Sequence, residues 1–191
     1  MTAIPPKDTF IKETFSQALE QLLQEKKLDD ISTSEIIRAS GLSRSTFYRH
    51  FTDKYELANW KYREMLNRLS RDHTSPDTSA ENIRALIRFI GENRAYYKKL
   101  LSYTGQNSFH EYYLHITLEW AKQIQGQAGR KLTSKDYYTL RYHSAGILDI
   151  LSQWLRSDDP LTADEFCEIV MENRSELLKT LYTDPPPPSP Y

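Results

Sequence analysis

The sequence predicts an all-α protein, and three observations carry that prediction. Apolar residues recur three and four positions apart along most of the chain, the spacing that lines one face of a helix. Glycine is scarce, with six in 191 residues. No alternating apolar and polar run bounded by turn residues is long enough to argue a sheet.

Taken in order, Phe10, Phe15, Ala18, Leu19, Leu22 and Leu23 mark an amphipathic first helix over about residues 8 to 26. The stretch LDDIS breaks it. Ser32, with Glu35 three positions later, has the capping-box pattern, in which each side chain satisfies a free amide at a helix start. A short second helix therefore runs to about Ser40. Gly41 suits the left-handed residue that ends a helix, with Leu42 folding back onto the core. Ser43 is the expected N-cap of a third helix ending near Phe51, and Asp53 that of a fourth carrying Leu57, Trp60, Tyr62, Met65 and Leu69.

The turn-rich segment HTSPDTSAE, residues 73 to 81, marks the boundary between a first domain, 1–72, and a second, 73–184. In the second, Ile83, Leu86, Ile87 and Ile90 mark one helix, NRAYYKKLLSY another that breaks near Gly105, and SFHEYYLHITLEWAKQIQ a third. GQAGRKLTS reads as a loop. The next helix, about 135 to 156, contains YHSAGILDILSQWL with a single formal charge, Asp149; a helix apolar most of the way round needs partners on more than one side. Thr162 with Glu165 is a second capping box, opening a last helix through Phe166, Ile169, Val170, Leu177, Leu178 and Leu181. The proline-rich end, 185–191, reads as a disordered tail with polyproline tendency.

Composition narrows the function classes. Lysine plus arginine (25) nearly cancel aspartate plus glutamate (26), so any nucleic-acid contact must come from a local patch. One cysteine, Cys167, excludes an internal disulfide framework and fits a reducing compartment. No run approaches the roughly 18 apolar residues of a membrane helix, and MTAIPPKDTF lacks the apolar core of a signal peptide, so a cytoplasmic protein without a membrane partner is expected. HEYYLH places His110 and His115 five apart, diverging by roughly 140° on a helix, whereas a zinc motif needs four. No phosphate-cradling glycine loop, nucleophile elbow or paired cysteine and base is present, so neither catalysis, metal nor cofactor is expected.

LSRSTFYRHF, residues 42–51, is where chemistry concentrates. At about 100° per residue from Arg44 onward, Phe47 and Phe51 share one side of the third helix, and Ser45, Thr46, Tyr48 and Arg49 cover the other. The phenylalanines anchor to Ile36, Ile37, Leu42, Leu19, Leu22 and Leu23. Outward, arginines can pair with phosphates or bidentately with guanine, while hydroxyls and the phenol reach base edges or backbone oxygens. From Arg38 to Lys54 four bases (Arg38, Arg44, Arg49, Lys54) meet one acid, Asp53, a local charge of plus three to which His50 can add. Two short helices joined at a glycine, the second with a basic polar face, is helix-turn-helix geometry, at about residues 32–51.

ISTSEIIRASGLSRSTFYRHFTDKYEL, residues 31–57, resembles the signature of the TetR family of one-component transcriptional regulators. Ile36, Gly41, Ser43, Phe47, Tyr48, His50, Phe51, Lys54 and Leu57 match that pattern; Ser32 replaces a threonine, and Ile37 and Ser40 replace alanines. The resemblance implies that the third helix is the recognition helix, that Tyr48, His50 and Lys54 hold phosphates, and that Arg44, Ser45, Thr46 and Arg49 select the operator. Ser32, Thr33 and Ser43 complete the expected DNA-contacting set.

It further implies an N-terminal three-helix DNA-binding domain and a C-terminal helical domain for ligand binding and homodimerisation. The expected partners are double-stranded DNA, a second copy and a small-molecule effector. The dimer would form through the last two long helices, with Ser144, Ala145, Leu148, Leu151, Trp154, Leu155, Phe166, Val170 and Leu177 at the interface and small residues permitting close approach. Candidate effector contacts are Tyr103, Phe109, Tyr113, Trp120, Tyr142 and His143. The second half also resembles a subgroup that includes regulators of dihydroxyacetone kinase operons, which implies that a protein partner can take the effector's place. A repressor is the expected function; a co-regulator acting chiefly through a protein partner is the alternative.

Overall fold

The computed structural model describes residues 7–71, 78–127, 129–158 and 161–181. All regular structure among them is helical: α1 (Lys7–Glu25), α2 (Thr33–Ser40), α3 (Arg44–His50), α4 (Lys54–Arg71), α5 (Thr78–Glu92), α6 (Arg94–Leu101), α7 (Phe109–Gln127), α8 (Ser134–Arg156), α9 (Ala163–Glu172) and α10 (Glu176–Leu181). The chain divides into two compact units, Met1–Lys61 and Tyr62–Tyr191, with the division inside α4. The expected boundary at 72/73 and the proline-rich tail lie outside the described residues. Within HTSPDTSAE, the last four residues already belong to α5.

In the first unit α1 packs against α2. Its core is Phe15, Leu19, Ile31, Ile36, Phe47, Phe51 and Leu57, none more than 1% exposed. Phe15 meets Phe47 edge-on at 5.1 Å and Phe51 at 6.3 Å between ring centres, and Phe51 meets Trp60 at 6.5 Å. Edge-to-face pairs add about 0.5–1.5 kcal/mol to their burial.

In the second unit α5 packs on α9, and α8 on α6 and α7. Trp154 stacks on Phe166 at 4.7 Å and donates its indole N–H to Leu161 O at 2.7 Å. Gly91 lets the indole approach, since a Cβ there would stand 2.9 Å from it. Arg94 donates to Trp154 O at 2.8 Å and Ser157 O at 2.7 Å, satisfying carbonyls at the end of α8. A second cluster gathers Ala121, Leu140 and Leu178 with Trp120, Leu118, Leu132 and Leu177.

Two expectations need correction. The single last helix is two: Asn173 and Arg174 donate from their side chains to Ile169 O and Met171 O, ending α9, and Ser175 starts α10 by accepting the Lys179 amide at its carbonyl and the Leu178 amide at its hydroxyl. The expected dimer residues are mostly spent inside the chain. Ser144, Leu148, Leu151, Trp154, Leu155, Phe166 and Val170 are buried in a single copy, and Leu177 packs on the Leu140 cluster. Of that set, Ala145 alone is exposed. The outward stripe of α8 is instead Tyr138, Tyr142, Ala145, Gly146, Asp149 and Gln153, which recur at helical pitch.

Candidate nucleic-acid interface

The turn ahead of α3 is built from side chains as much as backbone. Gly41 takes φ +69°, a left-handed conformation costly for other residues, and donates its N–H to Arg38 O. Ser43 caps α3: its hydroxyl accepts the Thr46 amide at 3.1 Å and lies 2.7 Å from Thr46 Oγ1 and 2.9 Å from Ser45 Oγ. Phe47 and Phe51 fix the roll of the helix by complete burial, which leaves Arg44, Ser45, Tyr48 and Arg49 exposed and Thr46 half-buried.

That face is ordered before any ligand arrives. Arg44 donates to Ser34 Oγ at 3.0 Å, and its guanidinium carbon lies 5.9 Å from the centre of the Tyr48 ring. Tyr48 leans edge-on against Phe47 at 5.4 Å with half its surface still exposed. Ser34 and Arg38 lie on the exposed side of α2 and extend the same polar surface; neither was among the expected contacts. The signal was their spacing of four, which puts both on one helix face beside the basic segment.

Ser32 is occupied by its capping box. Its hydroxyl accepts the Glu35 amide at 3.2 Å and donates to Glu35 Oε2 at 2.8 Å, and its own amide donates to the same oxygen. A hydrogen bond from Lys26, followed by those from Ser32, holds the Glu35 carboxyl down at about 2. Thr33 is half-buried.

Two residues given phosphate roles by resemblance are committed elsewhere. The His50 side chain is 8% exposed, its Nδ1 is 3.1 Å from Asp8 Oδ1 on α1, and its buried Nε2 has no hydrogen-bond partner. Lys54 donates to three carbonyls of the turn after α1, Leu28 O at 2.8 Å, Asp29 O at 2.9 Å and Ile31 O at 2.7 Å. An ammonium has three N–H groups, so its donors are used up; hydrogen bonds from charged groups are worth about 1.5–3 kcal/mol each. Asp53 caps α4, accepting the amides of Tyr55 and Glu56 at 2.8 Å each, and Thr52 donates its amide to Glu56 Oε2 at 2.7 Å.

Of the expected effector residues, Phe109 and Tyr113 lie together. Phe109 is buried edge-on to Tyr62 at 5.1 Å and Tyr97 at 5.6 Å, with Tyr113 beside it. Trp120 belongs to the Leu140 cluster, and Tyr103 donates its hydroxyl to Gln106 O at 3.0 Å. Tyr142 stands 85% exposed. Burial, then Arg174, pushes the half-buried His143 imidazole down, which keeps it neutral near pH 7; burial does the same to His110. Among the described residues no group of histidine, cysteine and carboxylate side chains could hold a metal ion, and no helix is long and apolar enough to cross a membrane.

Comparison with known proteins identifies the family. The profile of bacterial regulatory proteins of the tetR family matches residues 17–59, and that of a TetR-type transcriptional regulator C-terminal region matches 77–174. A curated relative, the HTH-type dhaKLM operon transcriptional activator DhaS of Lactococcus lactis subsp. lactis (strain IL1403), is 22% identical over 152 residues, 75% of this chain and 79% of its own. Two solved structures share the fold. One is a dihydroxyacetone kinase operon activator DhaS, with TM-score 0.57 and 18% identity over 90% of this chain and 96% of that one. The other is a TetR regulator from Streptococcus agalactiae 2603V, with TM-score 0.58 and 17% identity over 87% and 94%. With an outward basic face on its third helix and both halves matched, the chain belongs to the TetR family and is a DNA-binding transcriptional regulator.

Proposed function

We propose that the chain is a cytoplasmic, non-enzymatic repressor that binds a near-palindromic operator as a homodimer. The observation that carries this reading is the two-sided α3, with Phe47 and Phe51 fully buried and Arg44, Ser45, Tyr48 and Arg49 exposed next to Arg38. Two copies of α3 would enter successive major grooves about 34–36 Å apart, which makes a two-fold operator the natural target. The exposed tyrosines of α8, with Ala145 and Gly146 between them and the charged end of the stripe, support a second copy docking there.

Control belongs to the second unit: an effector or partner bound there changes the separation of the two recognition helices and releases DNA. Buried polar atoms without hydrogen-bond partners on α7 and α8, His110 Nδ1, His143 Nε2 and Ser144 Oγ, support a ligand with polar groups. Selection of duplexes from a random-sequence library by the purified protein tests the core of this reading. A recovered site with two related half-sites, bound less tightly as salt rises and less tightly by Arg44→Ala, is expected. Recovery of no preferred sequence, with Arg44→Ala binding like the unaltered protein, sinks it.

A second reading has one specific support, the name of the matched relative, a transcriptional activator of the dhaKLM operon. On that reading this chain stimulates transcription, together with a protein partner. In vitro transcription from the promoter next to its own gene separates the two: less transcript on adding the protein supports repression, more supports activation.

A further inference from the structure

We propose that Lys54 is a positioning residue that closes the helix-turn-helix into a ring, and that the phosphate-neutralising charge of this protein comes from Arg38, Arg44 and Arg49. This rests on the operator-binding reading and goes beyond it, because Lys54 stands where the family pattern implies a phosphate contact.

Two independent observations carry it. The first is the ammonium itself, whose three donors meet Leu28 O, Asp29 O and Ile31 O at 2.7–2.9 Å, leaving none for a phosphate oxygen without breaking one of these bonds. Ile31 is the last residue before the α2 cap, and Lys54 is the first of α4, so the bond between them joins the two ends of the reading motif across 23 residues. Everything between, α2, the Gly41 turn and α3, is held at both ends.

The second is the helix terminus on which Lys54 sits. A helix start attracts phosphate through its free amides and dipole. Here the amides of Tyr55 and Glu56 are already taken by the Asp53 carboxylate, that of Leu57 by Asp53 O, and that of Thr52 by Glu56. Two carboxylates at this terminus also repel a phosphate. The same dipole disfavours a cation there, which the turn carbonyls offset for Lys54. By contrast Arg38, Arg44 and Arg49 are exposed on α2 and α3, and the contacts of Arg44 are with neutral groups, the Ser34 hydroxyl and the Tyr48 ring.

The test uses a duplex selected by the protein from a random-sequence library, with affinity measured from about 50 to about 200 mM salt. Each lost phosphate contact lowers the slope of log affinity against log salt by about 0.9 per protomer. Lys54→Met and Lys54→Arg should both lower the thermal midpoint and leave the slope unchanged, because a planar guanidinium keeps the charge but cannot meet three carbonyls arranged around an ammonium. Arg38→Ala should lower the slope and spare the midpoint. At a temperature where circular dichroism shows Lys54→Arg fully folded, its preference for the selected duplex over a scrambled one should fall by about tenfold, as a tilted α3 misplaces base contacts. A smaller slope in Lys54→Met, or an unchanged preference in folded Lys54→Arg, overturns the proposal. An unaltered protein whose affinity ignores salt overturns instead the operator-binding reading beneath it.

Discussion

The two units differ in where their exposed apolar side chains gather. Among the described residues of Met1–Lys61 the exposed large apolar side chains are Phe10 and the face-forming Tyr48, Ser16 and Asn59 are buried, and the ends of α2, α3 and α4 are closed by Ser32, Gly41, Ser43 and Asp53. In Tyr62–Tyr191 bulky groups lie outside, with Tyr138 68%, Tyr142 85%, Leu161 45% and Ile169 40% exposed, while Ser108, Thr117, Ser144 and Ser152 are buried. A unit that has finished its packing offers polar chemistry to its partner. One with apolar surface left over offers area.

That contrast breaks first at Phe47. Truncation to alanine should cost about 3–5 kcal/mol, the range for large buried aromatics. Phe47 touches Phe15, Tyr48 and Phe51. Urea unfolding should show an early transition that removes DNA binding while the helices of the second unit persist. A single unshifted transition would mean the first unit is not the self-contained core described above.

Tyr142→Ala is the mirror experiment. With 85% of the residue exposed, the protomer loses little by its removal, but an interface anchor typically contributes about 2 kcal/mol or more. Sedimentation should show self-association weakened by at least about tenfold, with the unfolding midpoint of the protomer unmoved. Unchanged association would put the interface elsewhere than the α8 stripe.

Arg49→Ala probes the finished unit from its polar side. Arg49 is exposed on α3, so thermal stability should stay within about 0.5 kcal/mol while operator affinity falls by about 1–3 kcal/mol. Binding by titration and melting by circular dichroism measure the two. Loss of stability without loss of affinity would remove Arg49 from the interface.

How much of this was written in the sequence follows the same division. In the first unit, local rules set the helix ends, and local rules are legible: a serine three before a glutamate, a glycine after a helix, phenylalanines four apart. What stayed hidden was Lys54, because its acceptors are backbone carbonyls more than twenty positions away, and a carbonyl leaves no trace in residue identity. His50 was hidden for a related reason: its partner Asp8 lies on another helix. In the second unit the all-α pattern and the capping box at Thr162 were plain, but Thr133 with Asp136 was not, since the shorter acid falls outside the usual pattern. The faces of α8 were misjudged because low charge says that a helix is covered on several sides without saying by which chain. Only packing showed that Leu148, Leu151 and Leu155 are covered by their own.

The smallest expected effect compares one motif across both units. Glu35 and Glu165 close capping boxes of the same design, each accepting from the amide and hydroxyl of the cap residue. Glu35 has in addition a hydrogen bond from Lys26, the largest of the causes that bring it from 4.5 to about 2, whereas Glu165 is lowered by Thr162 alone. A carboxyl lowered on folding stabilises the folded state above its unfolded value and ceases to do so as pH falls through its folded value. The advantage of the unaltered protein over Glu35→Gln should therefore be full above about pH 4.5, shrink below it and vanish near pH 2. Carbon NMR of the two carboxyls should find Glu35 titrating below Glu165, and Lys26→Met should bring Glu35 up toward it. If the two titrate together in the unaltered protein, Lys26 adds nothing in solution, and the tighter end-capping of the first unit is a matter of geometry without electrostatic reinforcement.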